Sequence, residues 1–265
     1  MPNANDVIQR YFSQYLERDL ATVKAGEITL AASERRARPE TGWARAEAVW
    51  IHIFGGRAVV SVRPDLVSRL NQLLMECSDP NDLLLPDWRT KIARSLGMER
   101  VPGVSHILYC TPENLCVFEC DGLRKLEIGD VNAFVGMKFK MYPECDAACL
   151  TKDIRRNIED GSAFGVFQND VLVSAADASL IAHMQDEVEE PGVDTLPDYR
   201  GRGYGKAVIS QTTRRILEIG RVPIYRCNAR NEPSVRLALA VGYQKHADKV
   251  GFTAEKNGLQ TNCGK

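Results

Sequence analysis

Nothing at the start of this 265-residue chain resembles an export signal: MPNANDVIQRYF has no basic head followed by a long apolar run. No apolar stretch approaches the ~20 residues a membrane-crossing helix needs. Net charge is −1, so no overall field recruits nucleic acid or an acidic membrane, and neither is expected as a partner. A zinc knuckle is lacking too. Cys116 with Cys120, and Cys145 with Cys149, are spaced C-x3-C rather than C-x2-C, and the four histidines are scattered, so no metal site is expected. No internal repeat or low-complexity tract is visible. Without an export signal the default compartment is the cytoplasm, where the eight cysteines are expected as reduced thiols.

What is present is an ordinary globular composition, 44% apolar and 26% charged, in a chain long enough for one large domain or two small ones. NDVIQRYFSQYLERDL places Ile8, Tyr11, Phe12, Tyr15 and Leu16 at helical spacing. AVWIHIF and RAVVSV read as strands joined at Gly55–Gly56. RPDLVSRLNQLLME reads as a helix with Pro64 and Asp65 in its first turn, and DWRTKIARSLG as one ended by Gly97. VSHILYC and LCVFEC read as strands.

From about residue 123 the pattern is clearer. A short strand runs into a helix, and TKDIRRNIEDG makes a second helix. A hairpin then turns at Asn169–Asp170. EVEEPGVDTLP is a strand interrupted by Pro191–Gly192, GYGKAVISQTTRRILEIG a long helix, VPIYRC a strand, NEPSVRLALAVG a helix, and YQKHADKVGFTAE a closing hairpin. A soft boundary near residue 120 divides an N-terminal α/β region, 1–120, from a second domain, 121–265.

The stretch DTLPDYRGRGYGKAV opens the long helix. It fails as a P-loop, because Gly205–Lys206 is followed by Ala207 and Arg200 stands where the first glycine belongs. It fails as a dinucleotide fingerprint, because Lys206 or Val208 occupies the third glycine position. What remains is [RQ]-x-x-G-x-[GA], filled by Arg200, Gly203 and Gly205. Glycines let successive N–H groups turn into one hollow, the helix adds its positive end, and Arg200, Arg202 and Lys206 add full charges. That is a cradle for a pyrophosphate.

This segment resembles the acetyl-coenzyme A signature of the GCN5-related N-acetyltransferases (the GNAT superfamily). NARNEPSVRLALAVGY, about thirty residues on, is similar to the family's N-x2-S…G-[FY] segment, and the element order from residue 123 also matches. The resemblance covers a little over half the chain. It implies an α/β (α+β) fold, a mixed and mostly antiparallel sheet with helices on both faces. It leaves residues 1–120 without a motif; a degenerate copy of the same fold walling the acceptor site is one form they could take.

The resemblance also implies a site. Acetyl-CoA would lie in a gap between the strands near 188–196 and 222–227. Backbone amides near Val193, Thr195 and Leu196 would bond the pantetheine, and one would polarise the thioester carbonyl. The pyrophosphate would take the amides of Arg200, Gly201, Arg202, Gly203, Tyr204, Gly205 and Lys206. Asn231 and Ser234 would reach the cofactor's arm. A general base is needed because a free amine of pKa near ~10 is mostly protonated at neutral pH. Counting back six residues from Thr195 gives Glu189, with Glu187 and His183 as alternatives. Strand alternation puts Glu187 and Glu189 on one face and Glu190 on the other. The family's usual acid, a tyrosine, falls at Ala238; Tyr225 is a substitute, and Tyr243 aligns with a core aromatic. His52 and His106, each in an apolar strand, read as satisfied core residues. The expected function is N-acetyl transfer from acetyl-CoA to a small-molecule amine. Transfer to a protein N-terminus or lysine, and a non-catalytic acyl-CoA sensor favoured by Ala238, stand beside it.

Overall fold

In the computed structural model, which describes residues 3–39, 46–179, 181 and 183–253, the N-terminal helix forms over Ala4–Leu16 (α1). Asn3 caps it by accepting from the Asn5 N–H, and Glu17 ends it in the left-handed conformation. Its buried Val7, Ile8, Tyr11, Phe12, Tyr15 and Leu16 form one stripe, so the helix is held by a packed apolar face rather than by propensity.

The strands and helices follow in order: Ile28–Ala32 (β1), Glu47–Phe54 (β2), Arg57–Val62 (β3), Val67–Leu74 (α2), Pro86–Ser95 (α3), Val104–Tyr109 (β4), Leu123–Lys125 (β5), Val131–Met141 (α4) and Ala147–Glu159 (α5). Then come Phe164–Gln168 (β6), Val171–Ser179 (β7), Val188–Thr195 (β8), Tyr204–Glu218 (α6), Val222–Asn228 (β9), Glu232–Val241 (α7) and Gln244–Thr253 (β10). Both expected hairpin turns carry paired positive φ, at Gly55 and Gly56 (52° and 68°) and at Asn169 and Asp170 (49° and 63°). Such turns match the twist of the strands they join.

All ten strands lie in one sheet of order β1-β3-β2-β10-β4-β9-β8-β7-β6-β5. Among these pairings only β1–β3 and β8–β9 are parallel. Neighbouring residues of β4 and β9 point to opposite cores. Ile107 and Ile224 pack under α1, whereas Leu108 and Tyr225 pack with α6 and α7. On β7, Ala175 packs with α4 and α5, so these helices share the α1 face.

Three expectations change. The closing hairpin is a single ten-residue strand, β10, seated between β2 and β4; residues 254–265 lie outside the described residues. Strand β4 precedes residue 120 yet lies between β9 and β10, so the sheet runs unbroken across the expected boundary, and β1, β3 and β2 extend it rather than form a second sheet. Finally, LCVFEC is not a strand. Its backbone bonds to helices instead: the Cys116 N–H donates to the Val241 carbonyl (2.9 Å) and the Phe118 N–H to the Ser210 Oγ (3.0 Å). The segment straps α6 and α7 from outside.

None of the seven described cysteines is in a disulfide, and Cys263 lies outside the described residues. Among the described residues no helix is long and apolar enough to cross a membrane. The two core histidines differ. His106 Nδ1 lies 2.7 Å from Asp248 Oδ1, a satisfied pair. His52 is fully buried against Phe12 with neither ring nitrogen partnered, so burial holds its pKa well below the usual value.

Candidate active site

Strands β8 and β9 pair at two positions only, Val188 with Val222 and Glu189 with Pro223. Beyond Glu189 they diverge into a fork. On its other edge β8 stays in register with β7 through Pro191 and Gly192, which pair with Ala178 and Asp177. The expected interruption at Pro191–Gly192 is absent. The Leu196 N–H donates to the Val173 carbonyl on the β7 side. Because strand N–H groups alternate, those of Val193 and Thr195 point the other way, into the fork. Leu196 therefore does not offer its amide to the opening; its side chain is buried.

At the open end of the fork stands the glycine-rich turn. Gly201 and Gly203 have φ of 76° and 86°, and a Cβ on either would meet nothing within 4 Å. Gly203 is the N-cap of α6 and supplies no side-chain cap, so the first-turn N–H groups of Tyr204, Gly205 and Lys206 are left without one. Gly205 answers a different need. A Cβ there would lie 3.1 Å from Leu237 and 3.3 Å from Thr195 Oγ1, tight contacts, so glycine lets α6 begin close to β8 and α7 without displacing either side chain. Arg200 Nε donates to the Thr195 carbonyl (3.1 Å), Arg202 to the Asp198 carbonyl (3.1 Å), and the Lys206 ammonium sits 4.8 Å from the Phe118 ring. On the β9 side, Asn231 accepts from the Ser234 N–H (3.4 Å), and the Ser234 hydroxyl meets the Tyr225 hydroxyl at 2.9 Å. An uncapped helix start, two glycines with positive φ and three cations could hold the pyrophosphate of a coenzyme, and the Val193 and Thr195 amides its extended arm.

At the closed end the side chains take over. Glu189 is the last β8 residue to pair with β9, and its carboxylate accepts from Arg221 Nη1 (3.3 Å). With its side chain only 12% exposed, burial pushes the Glu189 carboxyl up from the ordinary range, and Arg221 pulls against this. A cavity of about 370 Å³ opens beside it between the C-terminal ends of α5 and α6. Glu190 lies on the opposite face, as alternation requires. It accepts from Arg226 Nε (2.9 Å), bridging the fork on the α1 side. Under α1, around Tyr11, Phe12 and Trp50, only about 10 Å³ remains.

Glu187 does not share Glu189's face. It sits in the turn before β8, where alternation does not hold, and pairs with Arg10 of α1. His183 is packed on Tyr11 (ring centroids 4.4 Å apart) and donates from Nε2 to the Tyr11 carbonyl (3.0 Å); burial lowers its pKa. Neither lines the cavity. Ala238 is fully buried in the α6–α7 core. Tyr243 is also buried, its hydroxyl 2.7 Å from Thr213 Oγ1. Burial pushes the Tyr225 phenol up to about 12, so it stays protonated at neutral pH. Sequence reasoning missed Arg221 and the Glu190–Arg226 bridge, because both depend on the parallel register of β8 and β9.

No curated protein shows significant similarity to the chain. Among solved structures, a GNAT-family acetyltransferase from Colwellia psychrerythraea overlays with a TM-score of 0.50 at 17% identity, covering 73% of this chain and 76% of its own. A GCN5-related N-acetyltransferase from Kribbella flavida gives 0.44 at 18% identity, covering 63% and 64%. The yncA protein of Salmonella typhimurium, determined with its cofactor acetyl-CoA, gives 0.42 at 14%, covering 53% and 98%. At these identities the likeness is one of fold. Residues 152–250, which hold β7, β8, β9 and the glycine-rich turn between β8 and α6, match the model of the GNAT acetyltransferase family.

Proposed function

We propose that this protein transfers an acetyl group from acetyl-CoA to the amine of a small molecule, by direct attack in a ternary complex. The observation that carries this reading is the fork itself. A backbone cradle for an anion stands at its open end, and a buried carboxylate beside a cavity of about 370 Å³ stands at its vertex. That volume suits a small ligand. Under α1, around Tyr11, Phe12 and Trp50, the space left is far smaller, about 10 Å³.

When bound, acetyl-CoA supplies the thioester carbonyl that the amine attacks. The Val193 or Thr195 N–H, aimed into the fork, would donate to the oxygen of that carbonyl, where charge develops. Glu189 would take the proton that the amine nitrogen loses as its bond to carbon forms, directly or through one water. Burial helps here, because a carboxyl above its ordinary range is a stronger base. The sulfur leaves as a thiolate. Tyr225 at about 12 is a poor acid for a thiolate of pKa ~8.5 but a serviceable hydrogen-bond donor to it, so solvent supplies the last proton.

The test is coenzyme release, followed with a thiol reagent, across a panel of small amines and an amine-bearing peptide. Release with small amines alone is the expected result. Acetyl-CoA binding with no release on any acceptor would favour the sensor, which the apolar Ala238 position also favours.

A further inference from the structure

Charges of both signs line the vertex cavity. Arg156, Arg215 and Arg221 line it, together with Glu189, Asp160 and Asp186. The three arginines are not equivalent. Arg221 is occupied by Glu189. Arg156 reaches Asn157 Oδ1 (3.2 Å) and Asp153 (3.3 Å). Among the described residues Arg215 alone of the three makes no ion pair; its Nε, like that of Arg156, is shut from water without a hydrogen-bond partner. Its charge is nonetheless felt at Glu189, whose pKa it lowers, while Asp160 raises it. A guanidinium carries five donors in a planar fork suited to carboxylate or phosphate.

We infer that the acceptor amine also carries an anionic group, a carboxylate or a phosphate, and that Arg215 holds this group across the cavity from Glu189. This rests on the acetyl-transfer reading above. The amine end, arriving as a cation, is drawn by Asp160 and Asp186 at the rim and loses its proton at Glu189. The anionic end fills the donor positions that Arg215 leaves open. An amine without an anion would leave those donors unmet, and a diamine would set a second cation against them.

The probes are 4-aminobutyrate, 3-aminopropyl phosphate and n-butylamine, within about two bonds of one another in reach and different in charge. Their binding to the full chain is measured by calorimetry with coenzyme A present, and coenzyme release is measured with acetyl-CoA. At least one anionic probe should bind about tenfold or more tightly than n-butylamine, about the span of one good polar contact to a charged group. Preference for the carboxylate or for the phosphate assigns the anion. Arg215→Gln should erase the difference and Arg215→Lys restore part of it, while Arg214→Gln, on the exposed side of α6, should leave it intact. Equal binding of all three probes, binding by none, or a preference that survives Arg215→Gln overturns the inference. Anion-selective binding without coenzyme release upholds the Arg215 site and overturns acetyl transfer. Release indifferent to the anion does the reverse.

Discussion

The two ends of the β8–β9 fork are built from different materials. The open end is backbone: uncapped N–H groups at the start of α6, two glycines with positive φ, and strand amides turned toward a gap. The closed end is side chain: Glu189 against Arg221, with Arg215, Asp160 and the α5–α6 cavity around them. A backbone site asks little of the sequence, only glycine and a helix start. A side-chain site is free to vary with the acceptor. Substitutions at the two ends should therefore separate chemistry from coenzyme affinity.

The largest separation is expected at the vertex. Glu189→Gln should lower turnover by about 10² to 10⁴, the usual cost of losing a general base, with the acetyl-CoA dissociation constant almost unchanged. Steady-state rates beside a coenzyme titration read both. Full turnover in this variant would remove Glu189 from the chemistry and leave proximity and the strand amides to account for it.

At the open end, Gly205→Val should act on packing. With Leu237 and Thr195 already 3.1 and 3.3 Å from a Cβ position, a branched side chain must push α6 off β8. Overpacking of this kind costs about 1–3 kcal/mol, readable as a lower melting temperature. An unchanged melting temperature would mean that the turn is looser than its geometry.

A subtler change is expected in pH dependence. Arg221 lowers the Glu189 pKa against the raising effect of burial. Arg221→Gln removes the lowering partner, so the carboxyl rises further and is protonated at higher pH. The base works only when ionised. The acid limb of kcat/KM should therefore move to higher pH in Arg221→Gln, and no movement, or movement to lower pH, would show that another group sets that limb.

The same contrast explains what was legible in the sequence. The cradle was readable because its requirement is local: glycines for a turn and an unblocked helix start, all within Arg200 to Lys206. The hairpin turns at Gly55–Gly56 and Asn169–Asp170 were readable for the same reason, as was the apolar stripe of α1. Glu189 was reached by counting from Thr195 along the resemblance. Its partner Arg221 was not, because the parallel register of β8 and β9 is set across the whole of α6. β10 looked like half a hairpin because its true neighbours, β2 and β4, lie far back in the chain. The strap at 115–120 has a strand's composition, but its backbone partners lie in helices. His52 looked like a satisfied core histidine, and only the packing of Phe12 over it shows that neither nitrogen finds a partner.

The central claim, that acetyl-CoA is held by the backbone cradle of the fork, is tested most directly by titrating acetyl-CoA into the wild type and Gly203→Asp. Aspartate tolerates the left-handed φ of 86° better than most residues, and nothing lies within 4 Å of its Cβ, so the variant should fold. What changes is a negative charge where the pyrophosphate must sit. Saturable binding to the wild type is expected, with loss of most of that affinity in the variant at an unchanged melting temperature. Equal dissociation constants for the two folded proteins would contradict it.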